Sequence, residues 1–271
     1  MIRLDSNAAW KEASALVAAN REVLFVVAGV FFLLPNLLMS VVLGEPQIEP
    51  GSGSEQVARA MMEYYTRGWW LILLTAVFQI IGMLTVLTLM RDRRRPTVAE
   101  AITAGVVGFP SYFAAQLLFV IGASLAGGVL GVVIAAIGGA ALGAVLLMLL
   151  LLGIGFVAVR LMLAAPVIAV DGERNPLTAL ARSWQLTRNN FWRIFAFFLL
   201  VGLLFVVALA VIMILVGIVL ALLSQGEVQR VLASVVSSTL VSLAMLYFLG
   251  MLAAVHRQLS RGATGSGVQT V

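Results

Sequence analysis

The pattern of polar and apolar positions is dominated by long stretches that contain no Asp, Glu, Lys or Arg. Val23–Gly44 runs for 22 residues, Gly68–Met90 for 23, Ala101–Val159 for 59, Ile194–Gly226 for 33 and Val231–His256 for 26. A hydrocarbon core of ~30 Å takes about 20 apolar residues in a helix rising 1.5 Å per residue. The first, second and last runs therefore each predict one span. The 59-residue run predicts two, with a turn in its glycine-rich middle, around Gly127–Gly131 and Gly138–Gly143. The 33-residue run predicts one long or tilted helix. The pattern is thus all-α and polytopic, with six transmembrane helices near 23–44, 68–90, 104–125, 138–163, 194–223 and 231–256. These form a single membrane domain over 1–261, followed by a disordered Gly/Ser/Thr-rich tail, 262–271. The first run is longer than the 7–15-residue apolar core of a signal peptide, so it is expected to stay as a span.

Short amphipathic stretches precede spans one, three and five: Ser6–Asn20, Pro96–Thr103 and Pro176–Asn190. They suggest a threefold layout of surface helix, span out, span back. Asn175 suits a helix cap and Pro176 a first turn. Leu177, Leu180, Ala181 and Trp184 then share one helix face. Trp10 and Trp184 occupy similar places before spans one and five.

Charge orients this framework. With six spans, 14 of the 17 basic residues fall on the side of the two termini; only Arg59, Arg67 and Arg230 fall on the other. Because positively charged loops stay in the cytoplasm, both termini are expected inside. The net charge of +5 then reflects topology and gives no reason to expect nucleic acid. Composition agrees: 62% hydrophobic, 11% charged and a mean hydropathy of +1.09 exclude a soluble or disordered chain.

The chemistry is sparse. There is no cysteine and one histidine, His256. Thiolate sites and multi-histidine metal centres are excluded, and no Walker, His-Glu-x-x-His or nucleophile-elbow motif is present. No cofactor and no enzyme activity are expected. Asp171 and Glu173 flank Gly172 on a turn, and are the one close pair of acids on the basic side. They read as a loop, or as a site only if a second acid or Arg160 joins them. The span centres carry no ionisable residue, which argues against ion-coupled transport.

Arg160 is the candidate intramembrane charge. At mid-depth an arginine costs roughly 2.5–3.5 kcal/mol, whereas near a span end it can snorkel. The alternative is a buried Arg160 that pairs with an acid such as Asp171 or holds a lipid phosphate. Arg91, Arg93, Arg94, Arg95, Arg182 and Arg188 are further candidates for contact with lipid headgroups, each gaining about 1 kcal/mol beside an anionic leaflet. Asn36, Gln79 and Gln116 are uncharged polar residues within spans. They either bond helices together or line a polar cavity. Gly127–Gly131, Gly139–Gly143 and the Ser234, Ser238, Ser242 stripe allow close helix approach, and Pro35 and Pro110 are potential kinks.

Several short motifs resemble a bacterial family of six-span inner-membrane proteins related to the glycerophosphoryl diester phosphodiesterase membrane domain. They are Val159-Arg160-Leu-Met-Leu-Ala-Ala-Pro166-Val167, the turn Asp171-Gly172-Glu173, the Arg182-Ser183-Trp184 core of Ala179–Arg193, and Ala9-Trp10. The resemblance implies the membrane fold and a bacterial inner-membrane location. The catalytic barrel to which that domain is sometimes fused has no room here, so the resemblance transfers no activity. The resulting expectation is a non-enzymatic inner-membrane protein whose basic cytoplasmic face binds anionic membrane lipids or a membrane-protein partner. The alternative is a carrier or channel for a lipid or small uncharged molecule.

Overall fold

The computed structural model describes residues 4–44, 46, 48, 51–91, 96–137, 139–223 and 226–265. Among them it contains six helices long and apolar enough to cross a membrane. Helix α1 (Ser6–Ala19) precedes the first span, which is built from α2 (Arg21–Ala28), a π-helical turn (Gly29–Leu33) and α3 (Leu34–Val42). The remaining spans are α4 (Ser54–Leu89), α5 (Val98–Ile137), α6 (Ala140–Leu161), α9 (Phe191–Leu223) and α10 (Glu227–Gly265). Two short helices, α7 (Ala164–Val170) and α8 (Pro176–Thr187), join α6 to α9.

Two prolines shape the backbone. Pro35 has no amide hydrogen to give the carbonyl one turn back, and the ladder widens into the π turn just before it. Pro166 stands four residues after Met162, so a continuous helix would drive its ring into the Met162 carbonyl. The chain breaks at Met162–Leu163 and restarts as α7. Pro110, in contrast, lies inside an unbroken α5. The glycines Gly127, Gly128 and Gly131 lie within α5, so span three runs beyond 104–125 to Ile137, and the turn falls in the later part of the glycine-rich middle, before Ala140. A helix needs no glycine-driven turn where lipid leaves room around it. Pro96–Thr103 likewise forms no separate surface helix, because α5 begins at Val98 and continues into the membrane without a break. Residues 262–265 extend α10, and the rest of the expected tail lies outside the described residues.

Packing is concentrated at one end of the bundle, where the described terminal segments and the α6–α9 connection meet. Short α7 is its centre: Ala164, Ala165, Val167 and Ile168 are at most 2% exposed. Ala165, Val167 and Ile168 belong to one buried cluster with Leu84 and Leu87 of α4, Leu249 and Leu252 of α10, and Leu24 and Phe32 of the first span. Helix α1 lays Ala9, Ala13 and Val17 against α10, where Gly250 has no side chain to hold it off. Away from this end, α5, α6 and α9 are apolar and exposed along most of their length, a surface suited to acyl chains.

Helices α4 and α5 pack closely because Gly105 permits it. A Cβ at Gly105 would lie 2.8 Å from the Ile81 carbonyl oxygen, which is backbone and cannot swing away. Gly122 on the same helix has open space. Gly105→Ala should therefore lower the thermal unfolding midpoint in detergent, at a cost of roughly 1–3 kcal/mol for overpacking. Gly122→Ala should leave the midpoint unchanged or slightly higher. Equal midpoints for the two variants would contradict this α4–α5 packing.

Candidate functional site

The break after α6 leaves the Arg160 carbonyl at a helix end. Ser183 and Thr187, both fully buried on α8, donate their hydroxyls to it at 2.8 and 3.3 Å. Asn175 starts α8 by accepting from the amides of Leu177 and Thr178. This pins α8 across the end of α6 and places Trp184 beside the Arg160 side chain. The guanidinium carbon of Arg160 lies 5.1 Å from the ring centres of Phe156 and Trp184, and 5.5 Å from that of Phe191. Phe156 is one turn before Arg160 on α6; Phe191 opens α9. Such an aromatic cage attracts a cation through the ring quadrupoles.

The cage leaves the arginine's hydrogen-bonding capacity unused. Nε and Nη1 of Arg160 are buried and donate to nothing among the described residues. Beside the guanidinium is a cavity of about 300 Å³, lined by Arg160, Arg188, Arg193, Asn189 and Asn190 with Phe156, Phe191 and Trp192. Its lining has three arginines and no carboxylate. One wall is tied to the start of the chain. Asn190 Oδ1 accepts from the Leu4 amide at 3.0 Å, and Arg193 Nη1 donates to the Leu4 carbonyl at 3.3 Å. In this arrangement a bound anion would meet donors that are already desolvated and oriented.

The acids take up different partners. Gly172, at φ +78°, ends α7, and the Glu173 amide returns to the Val167 carbonyl at 3.4 Å. Asp171 is thereby aimed at Arg182 Nη2 (3.1 Å) and at Nε2 of His256 (3.2 Å), a residue only 2% exposed on α10. Glu173 accepts from the Asn175 amide and completes the turn into α8. The alternative pairing of Arg160 with Asp171 is not formed, because Asp171 is held by Arg182 and His256 instead. Ser260 approaches His256 at the same Nε2 (3.3 Å) that faces Asp171. A relay needs the acid and the hydroxyl on opposite ring nitrogens, so this trio is not arranged as one.

Of the other sequence candidates, Arg188 joins the cavity and Arg182 is committed to Asp171. Arg91 is exposed and contributes a positive charge near Asp171. Arg93, Arg94 and Arg95 lie outside the described residues. Gln79 donates to Asn36 Oδ1 at 3.0 Å across α4 and α3, whereas Gln116 is exposed on α5 with no hydrogen bond among the described residues. None of the three lines either the arginine-lined cavity or the larger cavity between α3, α4, α9 and α10. Sequence reasoning did not single out Phe156, Phe191 or Asn190, and placed Arg193 only as the end of the basic Arg182–Arg193 stretch. Phe156 had a signal in its one-turn spacing from Arg160. The others meet Arg160 only because α8 folds back, which no local pattern announces.

Burial raises the pKa of Asp171. The hydrogen bond and charge of His256, followed by the charges of Arg182 and Arg91, outweigh burial and bring it below the usual carboxylate value. A depressed native pKa stabilises the fold fully above the unfolded value of about 3.9, and this support is lost as pH falls through the native pKa. The unfolding midpoint in detergent should accordingly drop as pH is lowered from about 5 through the acid range. Asp171→Asn should lower the midpoint at neutral pH and flatten that acid limb. An unchanged pH profile in the variant would show that Asp171 is not the linked group.

Residues 133–260 match the family described as the membrane domain of glycerophosphoryl diester phosphodiesterase. The matched segment covers α6 to α10 in nearly their full length, including Arg160, Ser183 and Trp184. No curated protein and no solved structure is significantly similar to the chain. Among its described residues the chain is an all-helical membrane protein with six candidate spans, and its second half, residues 133–260, is similar to the membrane domain of glycerophosphoryl diester phosphodiesterase.

Proposed function

We propose that this is a non-enzymatic bacterial inner-membrane protein, with both termini cytoplasmic, that binds the phosphate of an anionic lipid headgroup through Arg160. One observation carries the reading: the Nε and Nη1 of Arg160 are buried without an acceptor beside an acid-free cavity that two further arginines line. Buried donors left unmade are costly, and a guanidinium matches phosphate oxygens in a planar fork. The depth is also appropriate. Arg160 lies in the last turn of α6, on the side that carries most of the basic residues. That is the headgroup level of a leaflet rich in anionic lipid. A phosphodiester is also the group named in the description of the matched family.

The same chemistry fits a free phosphate ester, so the test separates the two sources. Gently extracted protein is compared by native mass spectrometry as wild type and as Arg160→Gln. Each is mixed with phosphatidylglycerol, phosphatidylcholine or glycerol 3-phosphate. The wild type should retain phosphatidylglycerol at one per chain in preference to phosphatidylcholine. Arg160→Gln should lose that preference by roughly tenfold or more, the scale of charge-assisted hydrogen bonds. Preferential retention of glycerol 3-phosphate would move the assignment to a soluble phosphate ester. Equal lipid retention by both proteins would overturn it.

A further inference from the structure

The arginine-lined cavity is joined to the segment that leads into α1. Asn190 and Arg193 both line the cavity, and both grip the backbone of one residue, Leu4. Asn190 takes its amide and Arg193 its carbonyl. Asn190 is itself fixed at the head of α9, where its carbonyl accepts from the Ile194 amide at 2.9 Å. Leu4 is 3% exposed and belongs to the buried cluster of the densely packed end. The next residue is held from another direction. The Asp5 amide donates to Gln258 Oε1 of α10 at 3.3 Å. The Asp5 carboxylate accepts from the amides of Asn7 and Ala8, both at 3.0 Å, and so caps α1. Helix α1 then lies along α10, where Glu12 meets Arg257 at 3.4 Å. Leu4 and Asp5 thus form a strap from the cavity wall to α10 and α1.

The strap holds that wall from behind. Neither Leu4 nor Asp5 is among the described residues that line the cavity, so the contact leaves its space open. Arg193 depends on it most. This arginine is exposed in the first turn of α9, and the bond to Leu4 is its side chain's one hydrogen bond among the described residues. A long exposed side chain loses much rotamer freedom when it orders on a ligand. One nitrogen anchored on a buried carbonyl removes part of that loss in advance, and leaves the rest of the guanidinium fork for an anion. Arg160 is held differently, by its three rings.

We propose that the Leu4–Asp5 strap positions Arg193 for the phosphate bound at Arg160, so that headgroup binding and strap docking strengthen each other. The proposal rests on the phosphate reading of the Arg160 cavity. Coupling between two binding events is reciprocal: a docked strap tightens the phosphate, and a bound phosphate tightens the strap. Occupancy of the cavity is thereby passed to α1, which the strap caps.

The test is hydrogen–deuterium exchange of the full chain in nanodiscs, read at the amides of Leu4 and Asp5. Native mass spectrometry of the same proteins measures lipid retention. Phosphatidylglycerol should slow exchange at these two amides about fivefold relative to phosphatidylcholine, and Arg160→Gln should abolish the difference. Leu4→Pro removes the amide given to Asn190. It should lower the preferential retention of phosphatidylglycerol about fivefold, the scale of ordering one long side chain. Leu4→Met keeps the bulk and both backbone bonds, and should behave as wild type. Preferential retention of phosphatidylglycerol with unchanged exchange at Leu4 and Asp5 would overturn the strap's role and leave the phosphate site standing. Faster exchange on adding the lipid would mean that strap and phosphate compete for Arg193, and would also overturn it. So would full retention by a folded Leu4→Pro. No preference for phosphatidylglycerol in the wild type would overturn both readings. The exchange comparison uses wild type and Arg160→Gln, so it decides even where Leu4→Pro does not fold.

Discussion

The missing amide of Pro166 determines the arrangement of the densely packed end of the structure. Because it cannot continue the ladder from Met162, α6 stops and α7 sets off separately. An interrupted helix in a membrane is tolerated only where the freed backbone groups find partners. Here Ser183 and Thr187 supply them at the Arg160 carbonyl, which locks α8 in place. Trp184 is then fixed beside the guanidinium, and Gly172 directs Asp171 toward Arg182 and His256. A helix break, a cap, a cage and an ion pair thus have a common origin.

The two ends of the bundle differ in what holds them. Apolar burial against lipid gives no net drive for helix association, so close packing and hydrogen bonds must do it. The end with α1, α7 and α8 has both, including the Arg257 guanidinium, which donates to the Met90 carbonyl and meets Glu12 at 3.4 Å. Toward the other end, α5, α6 and α9 present mainly apolar side chains outward. The larger cavity lies at that more loosely packed end, and the small arginine-lined one lies against the tightly packed end. A rigid frame around Arg160 lowers the cost of orienting a bound phosphate.

Much of the fold was legible in the sequence because a bilayer imposes one dominant rule. Uncharged runs long enough to cross it gave the six spans, and Asn175-Pro176 marked the start of α8 correctly. Span three was drawn too short, ending at 125 before glycines that α5 absorbs, because glycine in a lipid-facing helix has no local signature of its own. The site was only partly legible. Arg160, Ser183 and Trp184 stood out as motif residues, yet their mutual contact depends on the break at Pro166. Asp171 was noticed as an acidic turn, but its partners are 11 and 85 residues away in sequence. Asn36 and Gln79 proved to be one interhelical hydrogen bond, which their spacing of 43 residues could not reveal.

The account rests on Arg160 being a ligand rather than a snorkelling cation. Cryo-electron microscopy of the protein in nanodiscs of mixed phosphatidylglycerol and phosphatidylcholine tests this most directly. The account predicts headgroup density in the cavity lined by Arg160, Arg188 and Arg193, with a phosphate within hydrogen-bond distance of the Arg160 Nε. A guanidinium turned out toward bulk water, with the cavity closed by protein side chains, would contradict it.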